Sequence, residues 1–381
     1  MSMHPQKRIW LSPPHLTGRE RDVLAETLAS GWVAPAGANL DAFERAVVAA
    51  LGGGERHAVA VNSGTAAIHL GLIRLGVGAG DEVICQSFTF AASSNPVVYC
   101  GGVPVFVDSE QDTWNMDPAL LEKALLDRRE KTGRFPKAII PVHLYGMPAK
   151  MDEICAVAEK YGVPVLEDAA EALGSEYRGR RCGTFGKFAA ISFNGNKIVT
   201  ASAGGVCICP SCEEREEVLK IATQARENRP YYHHEKIGYN YRMSNVCAGI
   251  GLAQTDALEA RATRRREIHA LYAKLLAETP GITVKEAPGA DFASNFWLTC
   301  VLVDSEKFGA TNAELRERLA AADIESRLLW KPMHLQPVYA KNPFYGNGVS
   351  ESLFARGLCL PSGSSLTDDD VARVVRKITT R

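Results

Sequence analysis

The sequence predicts an α/β protein with a mostly parallel central sheet and a smaller α+β part towards its C-terminal end. Three observations predict it. From about residue 57, short β-branched runs alternate with helical patterns. Those runs are apolar throughout instead of at every second position, as expected of strands covered on both faces. After about residue 210 the alternation changes rhythm. The expected division is 1–245 for an N-terminal arm and a large α/β domain, and 246–381 for a long helix and a small α+β domain.

Taken in order, HAVAVNS (57–63) reads as a strand and GTAAIHLGLIRLG (64–76) as the helix after it. DEVICQS (81–87) and a helix through FAASSNPVVYC follow, then VPVFVD (103–108) and a helix near DPALLEKALLDRRE. PKAIIPVHLYG (136–146) and VPVLEDAAEA (163–172) each end a strand, with MDEICAVAEKYG as the helix between them. FAAI (188–191) and GVCIC (205–209) are strands on either side of SFNGNKIVTASAGG (192–205). A long helix is expected from an N-cap at Ser244 to about Glu278. WLTCVLVD, a helix from about Thr311 to Ala322, IESRLLW and a closing helix after TDDD (367–370) complete the chain.

The bulk properties exclude several classes. With 43 basic and 44 acidic residues, charge gives no reason to expect a nucleic-acid or membrane-surface partner. No run approaches the roughly 18 apolar residues of a membrane span. The opening MSMHPQKRIW lacks a signal-type apolar core. Ten cysteines scattered singly suit reduced thiols in a cytoplasmic protein. CICPSC (207–212) has no second pair or histidine motif nearby, so structural thiols and no metal are expected. The basic run RATRRRE (261–267) lies in a helical pattern and reads as a solvated helix face.

In parallel sheets, ligands sit beyond the carboxyl ends of the strands, and four of those ends are distinctive. Asn62-Ser63-Gly64-Thr65 opens a helix with small residues and hydroxyls, a weak anion-site signal alone. SFTF (87–90) offers Phe88 and Phe90, either core or the wall of a flat ligand's site. LEDAAEA (166–172) carries Glu167 and Asp168 to the edge. Adjacent strand residues face opposite ways, so one carboxylate holding a cation is expected, not an acid/base pair. Lys197, with Ser192 before it, lies in a turn between two apolar strands, where a desolvated amine can form a Schiff base with a carbonyl. An anion site, an aromatic wall, a carboxylate for a pyridinium nitrogen and an amine, in this order, describe a pyridoxal phosphate pocket.

The residues then resemble a known family. SGWVAPAG (30–37), NSGTAAIHLGL (62–72), SFTFAAS (87–93), VHLYG (142–146), EDAAEALGS (167–175), SFNGNK (192–197) and GYNYRMSN (238–245) are similar to the DegT/StrS family of fold-type I, pyridoxal-phosphate-dependent sugar aminotransferases. LSPPHLTG (11–18), TQAREN (223–228), LLWKPMH (328–334) and LCLPSG (358–363) most resemble the transaminases that make UDP-4-amino-4,6-dideoxy-N-acetylglucosamine, toward bacterial diacetamido-trideoxy sugars. The resemblance implies L-glutamate as donor and a UDP-linked 4-keto-6-deoxy-N-acetylhexosamine as acceptor. It implies Lys197 as Schiff-base lysine and proton shuttle, and Asp168 as partner of the pyridinium nitrogen. Phe90 would stack on the ring, Gly64, Thr65 and Ser192 would hold the phosphate, and Glu171 would lie near the ring hydroxyl. Asn240 would reach the phosphate of the second subunit in a homodimer with shared active sites. His334, Gln336 and Arg327 would lie near the substrate.

Two features depart from the family pattern: the run Ser202-Ala203-Gly204-Gly205, and Leu328 where proline is usual after the arginine. Some relatives carry histidine at the lysine position and dehydrate their substrate; Lys197 argues against that here. A dTDP- or GDP-linked 3- or 4-ketohexose is the alternative acceptor, and a non-catalytic sensor on the same scaffold is the rival from another class. A nicotinamide dehydrogenase would need a glycine fingerprint after the first strand, which GTAAIH does not supply.

Overall fold

The computed structural model describes residues 7–380; the residues read for a signal core lie partly outside these, at 1–6. The large sheet is assembled from β1 (His57–Val61), β2 (Glu82–Gln86), β3 (Val103–Val107), β4 (Ala138–Ile140), β5 (Leu166–Asp168), β6 (Phe188–Ser192) and β7 (Gly205–Cys209). Their order is β3-β2-β4 and β5-β6-β7-β1, and parallel bridges Ile139–Val165 and Val142–Asp168 join the two groups. Every pairing is parallel except those of β7, which runs antiparallel to both neighbours. That reversal brings the chain back through the Lys197 turn without a crossover helix, since antiparallel neighbours need only a short link.

Helices α1 (Arg19–Ala29), α2 (Ala38–Ala50), α3 (Gly64–Arg74), α4 (Asn95–Tyr99), α5 (Pro118–Thr132), α6 (Met151–Lys160) and α7 (Cys212–Ala222) belong to this part. The strands are buried along almost their whole length, as their unbroken apolar runs require. Gly204 and Gly205 are set by packing. A Cβ at Gly205 would collide with the backbone of Ser63 and Gly64, and one at Gly204 with Met243. The glycine pair therefore lets β7 lie directly under the start of α3.

The expected long helix is two. Ser244 caps α8 (Asn245–Thr255), accepting from the Cys247 amide, but the chain breaks at Asp256–Ala257 before α9 (Leu258–Leu276). The Ala257 amide turns back to Gln254 O in a three-residue closure, so the turn tightens and the axis changes. Gly249 and Gly251 of α8 face α1 and α2 closely, placing α8 with the preceding part.

The C-terminal part is an antiparallel sheet of β8 (Ile282–Val284), β9 (Thr299–Val303), β10 (Arg327–Leu328) and, after β11 (Phe344–Tyr345), β12 (Gly357–Leu360), in the order β8-β9-β12-β10. β11 pairs parallel with β3 and so extends the large sheet. Helices α10 (Asn312–Ala321) and α11 (Asp368–Thr379) cover the small sheet, each with a threonine capping box. The aspartates of TDDD are thus the first turn of the closing helix, where acidic groups favour the helix N-terminus. Val371, Val374, Val375 and Ile378 bury one face of α11, each worth about 1.5–3 kcal/mol. All ten cysteines are free; Cys207 and Cys209 are buried in β7 and Cys212 is exposed. Among the described residues, no helix is long and apolar enough to cross a membrane.

Candidate active site

The predicted residues converge at the carboxyl ends of the strands. β5 delivers Glu167 and Asp168 to opposite faces, as the strand period demands. Glu167 is wholly buried on one side, where the Gly183 and Gly186 amides donate at 2.7 and 2.6 Å and His143 Nε2 lies at 3.0 Å. The Ala149 amide donates to His143 Nδ1, so the imidazole proton sits on Nε2 and is given to Glu167. Asp168 turns the other way. Ser93 Oγ donates to its Oδ2 at 2.6 Å and the Ala170 amide to Oδ1 at 3.2 Å. Burial raises its proton affinity above the ordinary carboxylate value, opposed by the Ser93 bond, the Ala170 amide and the charge of Lys197. A buried carboxylate in that condition is suited to a cationic partner such as a ring N–H.

Lys197 closes the turn after β6, its amide donating to Asn194 O. Its Nζ lies 3.2 Å from Glu171 Oε1 and 4.0 Å from the centre of the Trp297 ring, a cation–π arrangement. Glu171 is 5% exposed, and the Tyr145 amide donates to its other oxygen at 2.7 Å. Burial pushes Glu171 up to about 7, with Lys197 and the Tyr145 amide pulling the other way. Tyr145 holds a left-handed backbone at φ 54°, uncommon for a bulky residue and a feature that clusters at functional sites. Its hydroxyl accepts from the Trp330 amide.

The start of α3 has an open end. Ser63 caps α3 by accepting from the Ala66 amide, leaving the Gly64 and Thr65 amides pointing out of the helix end. A Cβ at Gly64 would lie 3.1 Å from Ser192 Cβ, so Ser192 at the end of β6 stands beside that start. Phe88 is fully buried against Tyr145, whereas Phe90 is 59% exposed and 5.6 Å from Trp330. Only Phe90 is free to cover a flat ligand. Asn240 is exposed, and its carbonyl accepts from the side chain of Asn62.

The remaining expectations fall differently. His334 is tied to Ser87 and Glu351 and stacks on Phe344 at 3.6 Å. Gln336 donates to Lys331 O. The Arg327 guanidinium is exposed and pairs with Glu325, with no contact to Lys197, Asp168 or Glu171. The RATRRRE run corrects the solvated-face reading: Arg261 and Arg265 are 5% and 2% exposed. Ser93, Trp297 and the Glu171–Lys197 pair were missed by sequence reasoning. Ser93 lies inside SFTFAAS, where hydroxyls before a helix are common, and nothing marked Trp297.

A parallel sheet whose strand ends gather a lysine, a buried aspartate and an open helix start defines a fold-type I, pyridoxal-phosphate enzyme. The chain belongs to the DegT/DnrJ/EryC1/StrS aminotransferase family, whose model matches residues 14–379. EpsN of Bacillus subtilis is 47% identical over 373 residues, covering 97% of this chain and 94% of that protein. GDP-perosamine synthase of Caulobacter vibrioides is 37% identical over 368 residues, covering 97% and 96%. The solved structure of DesI in the presence of its TDP-sugar product superposes with TM-score 0.87 at 30% identity, covering 98% of this chain and 93% of that one. The protein is a pyridoxal-phosphate-dependent sugar aminotransferase acting on nucleotide sugars.

Proposed function

We propose that the enzyme moves the amino group of L-glutamate to the C4 keto group of a UDP-linked 4-keto-6-deoxy-N-acetylhexosamine. The products are 2-oxoglutarate and the UDP-4-amino-4,6-dideoxy sugar. The observation that carries the reading is the Lys197 amine, held at the strand ends against buried Glu171 and within the field of Asp168.

When bound, pyridoxal phosphate supplies an electron sink and carries the amino group between the two half-reactions. The residues here supply the rest. Asp168, fixed by Ser93, would keep the ring nitrogen protonated. The Gly64 and Thr65 amides with Ser192 would take the phosphate, and Asn240 would reach the phosphate of the second subunit. Phe90 would cover the ring and Glu171 would lie near its hydroxyl. Lys197 would be the residue that holds the cofactor, and its amine would move the proton at the donor Cα in one half-reaction and at the acceptor C4 in the other. A homodimer fits the exposed Tyr231, Tyr232 and Ile237, large apolar side chains in the segment of the chain that leads to Asn240. Ten free thiols suit a cytoplasmic location.

The UDP acceptor rests on the resemblance that LSPPHLTG, TQAREN, LLWKPMH and LCLPSG carry. Leu11 O accepts from the Ser362 amide and Ser12 Oγ donates to Asn196 O, so two of these pieces, LSPPHLTG and LCLPSG, meet beside the Lys197 turn. The GDP-perosamine synthase relatives favour a second reading, a GDP-linked 3- or 4-ketohexose. Purified enzyme with L-glutamate and each keto sugar separates the two. The UDP sugar should be consumed at a kcat/KM at least about tenfold higher, an easily resolved 1.4 kcal/mol. Preference for the GDP sugar would reverse the reading.

A further inference from the structure

The carbonyls of both residues next to Lys197, Asn196 and Ile198, are held by hydrogen bonds. Asn196 O accepts from Ser12 Oγ at 2.7 Å and from the Trp297 indole N–H at 2.8 Å. On the other side, Ile198 O accepts from Arg261 at 3.4 Å. Both anchors of Asn196 lead to one guanidinium: Arg265 donates to Trp297 O and, at 3.0 Å, to Ser12 Oγ. Arg261, one helical turn earlier on α9, also donates to His15 O and to Gln254. Two arginines thus tie the N-terminal segment 12–15, the Lys197 turn and Trp297 to a single helix.

We propose that Arg261 and Arg265 are positioning residues that seat Lys197, fixing its backbone on both sides and the Trp297 ring over which its amine lies. This rests on the assignment of Lys197 as the catalytic lysine. Arg265 is buried with no carboxylate within ion-pairing distance among the described residues, and its Nε has no partner. Burial and the neighbouring Arg261 hold its proton affinity down, to about 9. An apolar side chain of like volume would avoid that desolvation. What it would lack is a planar fork that reaches two acceptors on separate segments, which lysine lacks as well. The charge itself is dispensable to this role; the geometry of the fork is not.

The test pairs two readouts on Ser12→Ala, Trp297→Phe, Arg265→Lys and Arg265→Met. The first is hydrogen–deuterium exchange over residues 194–200 in cofactor-free protein. The second is the rate at which L-glutamate bleaches the visible band of the loaded enzyme, with its donor KM. In the Arg265 variants, exchange across 194–200 should quicken at least about tenfold while the sheet strands keep their protection. The bleaching rate should fall about 10–100-fold at nearly unchanged KM, the scale of an ångström-level misplacement. Ser12→Ala should show both effects at roughly 2–12-fold or more, the scale of one hydrogen bond, since it removes both the bond to Asn196 O and the bond from Arg265. If the Arg265 variants do not fold, Ser12→Ala and Trp297→Phe decide the matter. Parental behaviour in both, or a change in one readout without the other, overturns the seat. Failure of the Lys197 assignment looks different: Lys197→Ala would still turn over, whatever the exchange data show.

Discussion

The Glu171–Lys197 pair makes a quantitative prediction for cofactor-free protein. In the unfolded chain Glu171 has the ordinary carboxylate value near 4.5, and in the folded protein burial moves it to about 7. Between these values the folded state holds a proton that the unfolded state has released. Stability from this group is therefore fully present below about pH 4.5 and is lost as pH rises through about 7. The shift of about 2.5 units corresponds to roughly 3 kcal/mol. Glu171→Gln removes the titration and keeps an acceptor for the Tyr145 amide. For a chain of 381 residues, unfolding entropy near 2.1 cal/mol/K per residue converts 3 kcal/mol to a Tm change of roughly 4 °C. The assay is thermal unfolding of parent and variant across about pH 4.5 to 8. The Tm of the variant minus that of the parent should climb by about 4 °C from the acid to the alkaline end. A difference that stays flat, or climbs toward acid, would refute the reasoning and make the Glu171 carboxylate an ordinary ionised partner of Lys197.

Other outcomes follow from the same geometry. Lys197→Ala should keep the parental circular dichroism and lose all measurable transamination; retained turnover would reject the assignment. Ser93→Ala removes the hydroxyl from buried Asp168, a charge-assisted bond worth about 1.5–3 kcal/mol. Cofactor affinity by equilibrium dialysis should fall about tenfold or more, and parental affinity would show that Asp168 needs no such anchor. Gly205→Ala puts a Cβ into the backbone of Ser63 and Gly64, so urea unfolding should show a loss of about 3 kcal/mol or more. Gly53→Ala, at φ 73° in open space, should cost only about 1 kcal/mol.

The elements legible in the sequence were those whose signal is local. Unbroken apolar runs predicted β1 to β7, and Ser244 marked a helix start by its hydroxyl; the closing helix, expected after TDDD, begins within it, with Thr367 as its cap. The break between α8 and α9 was not legible, because Thr255-Asp256-Ala257 contains neither glycine nor proline. It answers instead to packing of α8 on α1 and α2. The site divides the same way. Lys197 and Asp168 announced themselves as charges at the ends of apolar strands, and the alternation of Glu167 and Asp168 followed from strand geometry alone.

Arg261 and Arg265 gave the opposite appearance, since a basic run on a helix is usually solvated. Their acceptors are mostly peptide carbonyls, at His15, Ile198 and Trp297, and a carbonyl is the one polar group that every residue carries. No residue type in the sequence can mark which carbonyls will be left facing a buried guanidinium. A charge cluster read without its acceptors therefore defaults to solvent, and here that default hid the support of the lysine from which the functional argument began.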